Sequence, residues 1–150
     1  MDFIKANNSH YTIIVDLWEQ SVNETHKFLK QEDKESIKKE ICTYLDKTNL
    51  LMWYKQNELI GFSGHLNKHI EMLFLYPNKF NQGYGTEIIK ILINNFKIIS
   101  VDVNKQNLQA LNFYIKNGFK IISECAIDDM GRPYPILKLQ LQHTKQSITT

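Results

Sequence analysis

Two glycines constrain this chain more than any other feature. In "IEMLFLYPNKFNQGYGTEIIKILINNF", Gly83 and Gly85 flank Tyr84 between an apolar run and a segment with helical spacing. Glycine permits close approach of the backbone to a ligand. The free N–H groups of a first helical turn, with the helix dipole behind them, favour an anion. The stretch therefore predicts a strand, a loop and a helix in succession, with a phosphate-bearing ligand at the helix start.

The remaining pattern places that unit in a larger α/β or α+β domain with a mixed sheet. Phe3–Ala6 reads as a short first strand, and Asn7-Asn8-Ser9 as a polar stop able to cap a helix. From His10 to Val22 the residues Ile13, Ile14, Leu17, Trp18 and Val22 fall at helical spacing. A second helix is predicted over Lys34–Thr48, with Ile37, Ile41, Tyr44 and Leu45 on one face. "NLLMWYKQNELIGFSGHL" reads as two strands joined at Gln56-Asn57, and "HIEMLFLYP" as an apolar strand. A third helix, "GTEIIKILINNF", is followed by the strand "KIISVDVN". A fourth helix, in "KQNLQALNFYIKNGF", stops at Asn117-Gly118. The late strands "KIISECAI" and "YPILKLQL" surround a turn at Asp128–Arg132. One domain over residues 1–142 and a polar tail over 143–150 are expected.

Composition removes several classes of function. A chain of 150 residues buries about two thirds of its unfolded surface and needs no staples. A net charge of +2 without a basic block argues against nucleic acid. No run approaches the ~18 apolar residues of a membrane helix. "MDFIKANNSH" lacks the apolar stretch of a signal peptide, so a cytoplasmic protein is expected. Cys42 and Cys125 read as buried, reduced thiols. His65 and His69 have i, i+4 spacing but lie in a strand–turn region, so no metal is expected.

Three phosphate ligands compete for the glycine loop. A dinucleotide fingerprint needs a third glycine where Ile88 stands, although Asp102 lies roughly where a ribose partner belongs. A nucleoside triphosphate loop needs Gly-Lys-Ser/Thr, and Gly85-Thr86 has no lysine. The third ligand is coenzyme A, and here the sequence resembles the GNAT superfamily of N-acetyltransferases. "PNKFNQGYG" is similar to that family's pyrophosphate loop, Arg/Gln-x-x-Gly-x-Gly/Ala. Gly83 and Gly85 match, Phe80 departs from the Arg/Gln position, and Gln82 is a candidate substitute. "NLQALNFYIKNGF" is similar to the family's Asn-x-x-Ala-x-x-Phe-Tyr-x-x-x-Gly-Phe through Asn107, Ala110, Phe113, Tyr114, Gly118 and Phe119. "SVNETHKFL" and "DDMGRPYPILKL" look like a small bacterial subgroup. The resemblance implies a central, mostly antiparallel mixed sheet flanked by about four helices.

It also implies the chemistry. Members move an acetyl group from acetyl-CoA, the expected cosubstrate, to an amine by direct attack in a ternary complex. The acceptor class is a protein lysine, an N-terminus or a small-molecule amine. A lysine amine with a pKa of ~10.4 must first lose a proton, and the leaving thiolate must gain one. By resemblance Tyr114 protonates the thiolate and Asn107 contacts the pantetheine arm. Phe74 and Leu75 offer backbone to the pantetheine, and Phe80, Asn81, Gln82, Gly83, Tyr84, Gly85 and Thr86 hold the pyrophosphate. Glu71, a carboxylate inside an apolar run, is the candidate base. His69, in register with it, is a second candidate; His26 and Tyr134 are candidates for the acceptor pocket. A homodimer is a further implication of the resemblance. Two rival readings stand beside this one: a non-catalytic acyl-CoA-binding or regulatory protein, and, more remotely, a dinucleotide-binding protein.

Overall fold

Residues 1–142 are described by the structure, a computed structural model, and fall into two units, Met1–Ile98 and the segment from Ile99 onward. The first unit contains β1 (Asp2–Lys5), a 3-10 turn (Asn8–His10), α1 (Tyr11–Thr25), α2 (Gln31–Asp46), β2 (Asn49–Lys55), β3 (Glu58–Leu66), β4 (His69–Leu75), a second 3-10 turn (Pro77–Lys79) and α3 (Tyr84–Phe96). Its strands pair in the order β1-β2-β3-β4, each pair antiparallel. The β2–β3 turn forms at Gln56-Asn57, and both residues are left-handed, with φ of 51° and 66°. That is the twist a two-residue hairpin requires.

Strand alternation divides the apolar side chains between two faces. Met52, opposite Phe62, and Phe62, opposite Phe74, turn toward α1 and α2. There they join Ile14, Leu17, Trp18, Val22, Ile41 and Leu45 in one core. Trp53 and its register partner Phe3 turn the other way, and the Phe3 ring meets Phe96 of α3 at 5.6 Å. The buried Trp53 indole donates to Ser63 Oγ at 2.8 Å, so its N–H is satisfied.

Two bulges interrupt β3 and its partners. Gly61 faces Trp53 while Leu59 faces Tyr54, which leaves Ile60 as the extra residue. The Ile60 carbonyl accepts from Tyr76 N–H at 3.0 Å and thereby carries β4 into the following 3-10 turn. Gly64 faces Met72 while His65 faces Ile70, which leaves Glu71 as the extra residue on β4. A bulge suspends the two-residue alternation of a strand. Alternation therefore no longer sets Glu71 in the register with His69 that the strand pattern predicts.

The second unit contains β5 (Ser100–Asn104), α4 (Leu108–Lys116), β6 (Phe119–Cys125) and β7 (Ile136–Leu141), with strands ordered β5-β7-β6, all antiparallel. Val101 opposite Leu139 and Val103 opposite Leu137 are its buried cross-strand pairs. Gly118 ends α4 with φ of 96°, the left-handed stop expected there. The turn at Asp128–Arg132 forms around the Asp128 carboxylate, which accepts from the N–H groups of Met130 and Arg132.

Several sequence expectations need correction. Cys42 and Cys125 are free but exposed. Cys42 lies one position past the buried Ile41, a rotation that takes it off the core face, and Cys125 ends β6, a strand exposed after Phe119. Ile13 and Tyr44 sit at the margins of their helices' apolar faces and are 47% and 39% exposed. The second helix starts at Gln31 rather than Lys34, with Glu32 and Asp33 in its first turn, where acidic side chains complement the dipole. The fifth strand starts at Ser100 because Lys97, left-handed at φ 59°, closes α3 first. The expected tail over 143–150 lies outside the described residues.

The second glycine-dependent contact in this fold is testable. A Cβ at Gly61 would stand 2.4 Å from the Phe74 carbonyl oxygen, a backbone atom with no rotamer to escape into. Gly61→Ala is expected to cost about 2 kcal/mol or more in urea-monitored unfolding. Unchanged stability would show that β3 and β4 do not approach as closely as described.

Candidate active site

The glycine loop is built from the end of β4 outward. The 3-10 turn at Pro77–Lys79 intervenes between strand and glycines, so they are not on the strand's own end. Phe80 is extended and half-buried, Asn81 is left-handed at φ 61°, and Gln82 Nε2 donates back to the Asn78 carbonyl at 2.6 Å. Gly83 is the N-cap of α3 at φ 85°, and no side chain caps the helix. A Cβ built on Gly83 meets nothing within 4 Å. Glu87 N–H makes the first intrahelical bond, to the Gly83 carbonyl at 3.1 Å. The N–H groups of Tyr84, Gly85 and Thr86 therefore precede the ladder. Open space, uncapped donors and a 13-residue helix dipole form an anion cradle.

Two ion pairs brace the cradle. Lys79 Nζ lies 2.7 Å from Glu58, at the start of β3. Lys55 Nζ, at the end of β2, lies 2.9 Å from Glu87 in the first turn of α3, and this hydrogen bond holds its pKa up. Sequence reasoning missed both, because the partners are 21 and 32 residues apart and no local pattern links them.

On β4, Ile70 alone is fully buried; Met72, Leu73, Phe74 and Leu75 are partly so. The Phe74 ring stacks on Phe62 at 5.6 Å, while Glu71 is exposed at its bulge. Glu71 is therefore not buried within the apolar run, because the bulge turns its carboxylate to solvent. His69 is half-buried near the β3–β4 turn.

In the second unit, Asn107 caps α4. Its Oδ1 accepts from Ala110 N–H at 3.2 Å, and the residue is 9% exposed. The cap uses Oδ1 and leaves the amide's donor group for another partner. Tyr114 is 6% exposed, in edge-on contact with Phe113 at 5.0 Å and Phe119 at 5.5 Å. Burial pushes its phenol pKa well up, so the hydroxyl keeps its proton at physiological pH. Asp102, the acid a dinucleotide would need, faces Lys138 Nζ at 3.4 Å across β5–β7. Tyr134 is buried, at 6% exposure.

His26 ends α1. Its ring lies 5.3 Å from the Phe28 ring and 6.4 Å from Phe74, so the structure brings together two residues that the sequence reading had treated separately. Thr25 Oγ1 stands 2.7 Å from His26 Nδ1. Burial alone lowers the imidazole pKa to about 4. Among the described residues no group of three or more His, Cys, Asp or Glu side chains is placed to hold a metal, and no helix is long and apolar enough to cross a membrane.

Comparison with known proteins bears on the family and the fold. The family model "Acetyltransferase (GNAT) domain" matches residues 14–131. A curated relative, the peptidyl-lysine N-acetyltransferase YjaB of Salmonella typhimurium, is 32% identical over 84% of this chain and 88% of its own. The solution structure of apo YjaB from Escherichia coli superposes with a TM-score of 0.86 at 27% identity, covering 95% of this chain and 98% of that one. The PaiA N-acetyltransferase from Thermoplasma acidophilum, solved in complex with coenzyme A, shares the fold at a TM-score of 0.68 and 20% identity, over 95% and 98% of the two chains. With a family match over most of its length and a mixed α/β fold to go with it, this chain belongs to the GNAT acetyltransferases and is an N-acetyltransferase.

Proposed function

We propose that the chain transfers the acetyl group of acetyl-CoA to the ε-amine of a lysine presented by a protein or peptide. The carrying observation is the uncapped, left-handed start of α3 at Gly83, whose open side suits a diphosphate. The lysine acceptor is supported by the activity that the YjaB relative's name carries. Acetyl-CoA supplies the thioester whose acetyl group is passed on.

The chain's own residues supply the rest. The N–H groups of Tyr84, Gly85 and Thr86 hold the pyrophosphate, in a loop that also comprises Phe80, Asn81 and Gln82. The backbone of Phe74 and Leu75 and the free Asn107 amide orient the pantetheine arm. Tyr114 Oη, protonated because it is buried, donates its proton to the departing thiolate, which has a pKa of ~8.5 by analogy with cysteine. Glu71, open to solvent at its bulge, serves proton removal through water, with His69, two residues earlier on β4, as its alternate. Tyr134 is assigned to the acceptor side, and the active form is a homodimer.

Melting the protein with acetyl-CoA, NAD and ATP in parallel tests the cofactor. Acetyl-CoA at ~100 times its Kd is expected to add ~2.7 kcal/mol of stability, and NAD and ATP to add nothing. A shift with NAD alone would overturn the reading. Tyr114→Phe, which keeps the ring and its packing, is expected to lower kcat about 10²-fold with little change in melting temperature; an unchanged kcat removes Tyr114 as the acid. Gly83→Ala places a side chain at positive φ at a backbone cost of about 1–2 kcal/mol. It is expected to raise the KM for acetyl-CoA and to leave the acceptor KM alone.

A further inference from the structure

We propose that His26 orients the acceptor: its Nε2 lone pair receives an N–H of the incoming aliphatic amine, beside the aromatic walls of Phe28 and Phe74. The inference rests on the acetyltransferase reading above and adds the residue that selects and aims the amine.

The tautomer rests on counting hydrogens. Thr25 Oγ1 has one hydrogen and lies 2.9 Å from the Ser21 carbonyl oxygen, an acceptor that has no hydrogen to give. The same oxygen is 2.7 Å from His26 Nδ1. Both contacts are hydrogen bonds at once only when the hydroxyl donates to Ser21 and accepts from the ring. We take this doubly bonded arrangement, which puts the proton on Nδ1 and the lone pair on Nε2. No described residue hydrogen-bonds to Nε2. A neutral imidazole with one nitrogen fixed by the protein and the other free is an acceptor fixed in direction.

The surroundings suit an amine at the end of an alkyl chain. Phe28 at 5.3 Å and Phe74 at 6.4 Å supply apolar surface for methylenes and negative ring faces for an ammonium. Phe74 belongs to β4, the strand proposed to hold the pantetheine, so the lone pair sits beside the strand that presents the thioester. Among the described residues the ring's hydrogen-bond and aromatic partners are Thr25 from its own helix, Phe28 from the following turn and Phe74 from β4, and none of these is ionisable. Burial alone then keeps the ring neutral down to about pH 4.

That same burial defines what His26 does not do. A ring that protonates near pH 4 cannot hold the proton of an ammonium that titrates near ~10.4. The surplus proton passes to water, the neutral amine remains, and one of its N–H groups donates to Nε2. This fixes the direction of the nitrogen lone pair, as an attack on a carbonyl requires.

Long-range ¹⁵N–¹H spectra test the tautomer without turnover, with His26→Gln identifying the signal among five histidines. The expected result is a protonated Nδ1 that does not titrate between pH 8 and 5.5. A protonated Nε2, or titration near 6.5, overturns the proposal. The lysine probe is Nα-acetyl-lysine methylamide, added with coenzyme A bound. The Nε2 resonance is expected to move on its addition, and an unmoved resonance is against the proposal.

In steady state His26→Ala is expected to raise the probe's KM about 10-fold, with the KM and the thermal shift for acetyl-CoA retained. Thr25→Val, which frees the ring to change tautomer, should raise it by less. An unchanged probe KM with a retained acetyl-CoA shift sinks this inference alone. Absence of any acetyl-CoA shift in the unaltered protein sinks the cofactor reading as well. Linkage gives an independent check. The folded pKa lies below the unfolded ~6.5, so stability is complete above that value and is lost as pH falls from about 6.5 toward about 4. His26→Gln should flatten the fall of melting temperature over that window.

Discussion

The close antiparallel approach of β3 to β4 is the constraint on which the first unit depends. Gly61 admits the Phe74 carbonyl where any side chain would collide. The bulged Ile60 then turns its carbonyl to Tyr76, and the chain leaves β4 in a fixed direction toward the 3-10 turn and the glycine cradle. The second bulge, at Glu71, reverses which face the earlier part of β4 presents. Ile70 and His65 pair on one side of it, and Met72 and Phe74 pack into the α1–α2 core on the other. One glycine and two extra residues thus set the exit of β4, the exposure of Glu71 and the placement of Phe74 beside His26.

A second theme is neutrality obtained by burial. His26 and Tyr114 are each displaced from their ordinary pKa mainly by desolvation, in opposite directions, and each ends up uncharged at physiological pH. His65 shares the effect: it is buried beneath Phe96 at 4.9 Å with an unpartnered Nδ1, and its pKa is lowered. The charged side chains of the first unit serve at its periphery. Lys38 with Glu19 joins α2 to α1, and Lys79 with Glu58 and Lys55 with Glu87 hold the loop from either side. Such pairs, partly exposed, contribute little to stability individually. Their use here is positional, since each links segments that the chain does not otherwise connect.

Legibility in the sequence followed the range of the interaction. The order of elements was readable because helical and strand periods are local, and so were the Gln56-Asn57 and Gly118 turns, whose residue types tolerate positive φ. The family was readable from Gly83, Gly85 and the "NLQALNFYIKNGF" spacing. The exposure of Glu71 was not, because a bulge depends on the partner strand and leaves no trace in alternation. Cys42 and Cys125 misled for a related reason: a thiol's usual burial says nothing of where a helix face or an edge strand ends. The Thr25–His26 contact lay in plain view as adjacent residues, but its meaning required the Ser21 carbonyl one turn back.

The departure of Phe80 from the family's Arg/Gln position now has a physical account. On the proposed reading the donors in the cradle are main-chain N–H groups, which a side chain at position 80 does not supply. What the loop needs is a fixed path from β4 to Gly83. The path has its own restraints: Tyr76 N–H on Ile60, Lys79 on Glu58, and Gln82 on the Asn78 carbonyl. The last of these commits the Gln82 amide to the loop itself, so Gln82 serves as a brace more readily than as a replacement contact. A half-buried phenylalanine adds apolar packing to the same path. On the proposed reading, the loss of one side-chain contact to the pyrophosphate is offset by a loop already held in the shape its backbone donors require, which is the condition for binding without a large ordering cost.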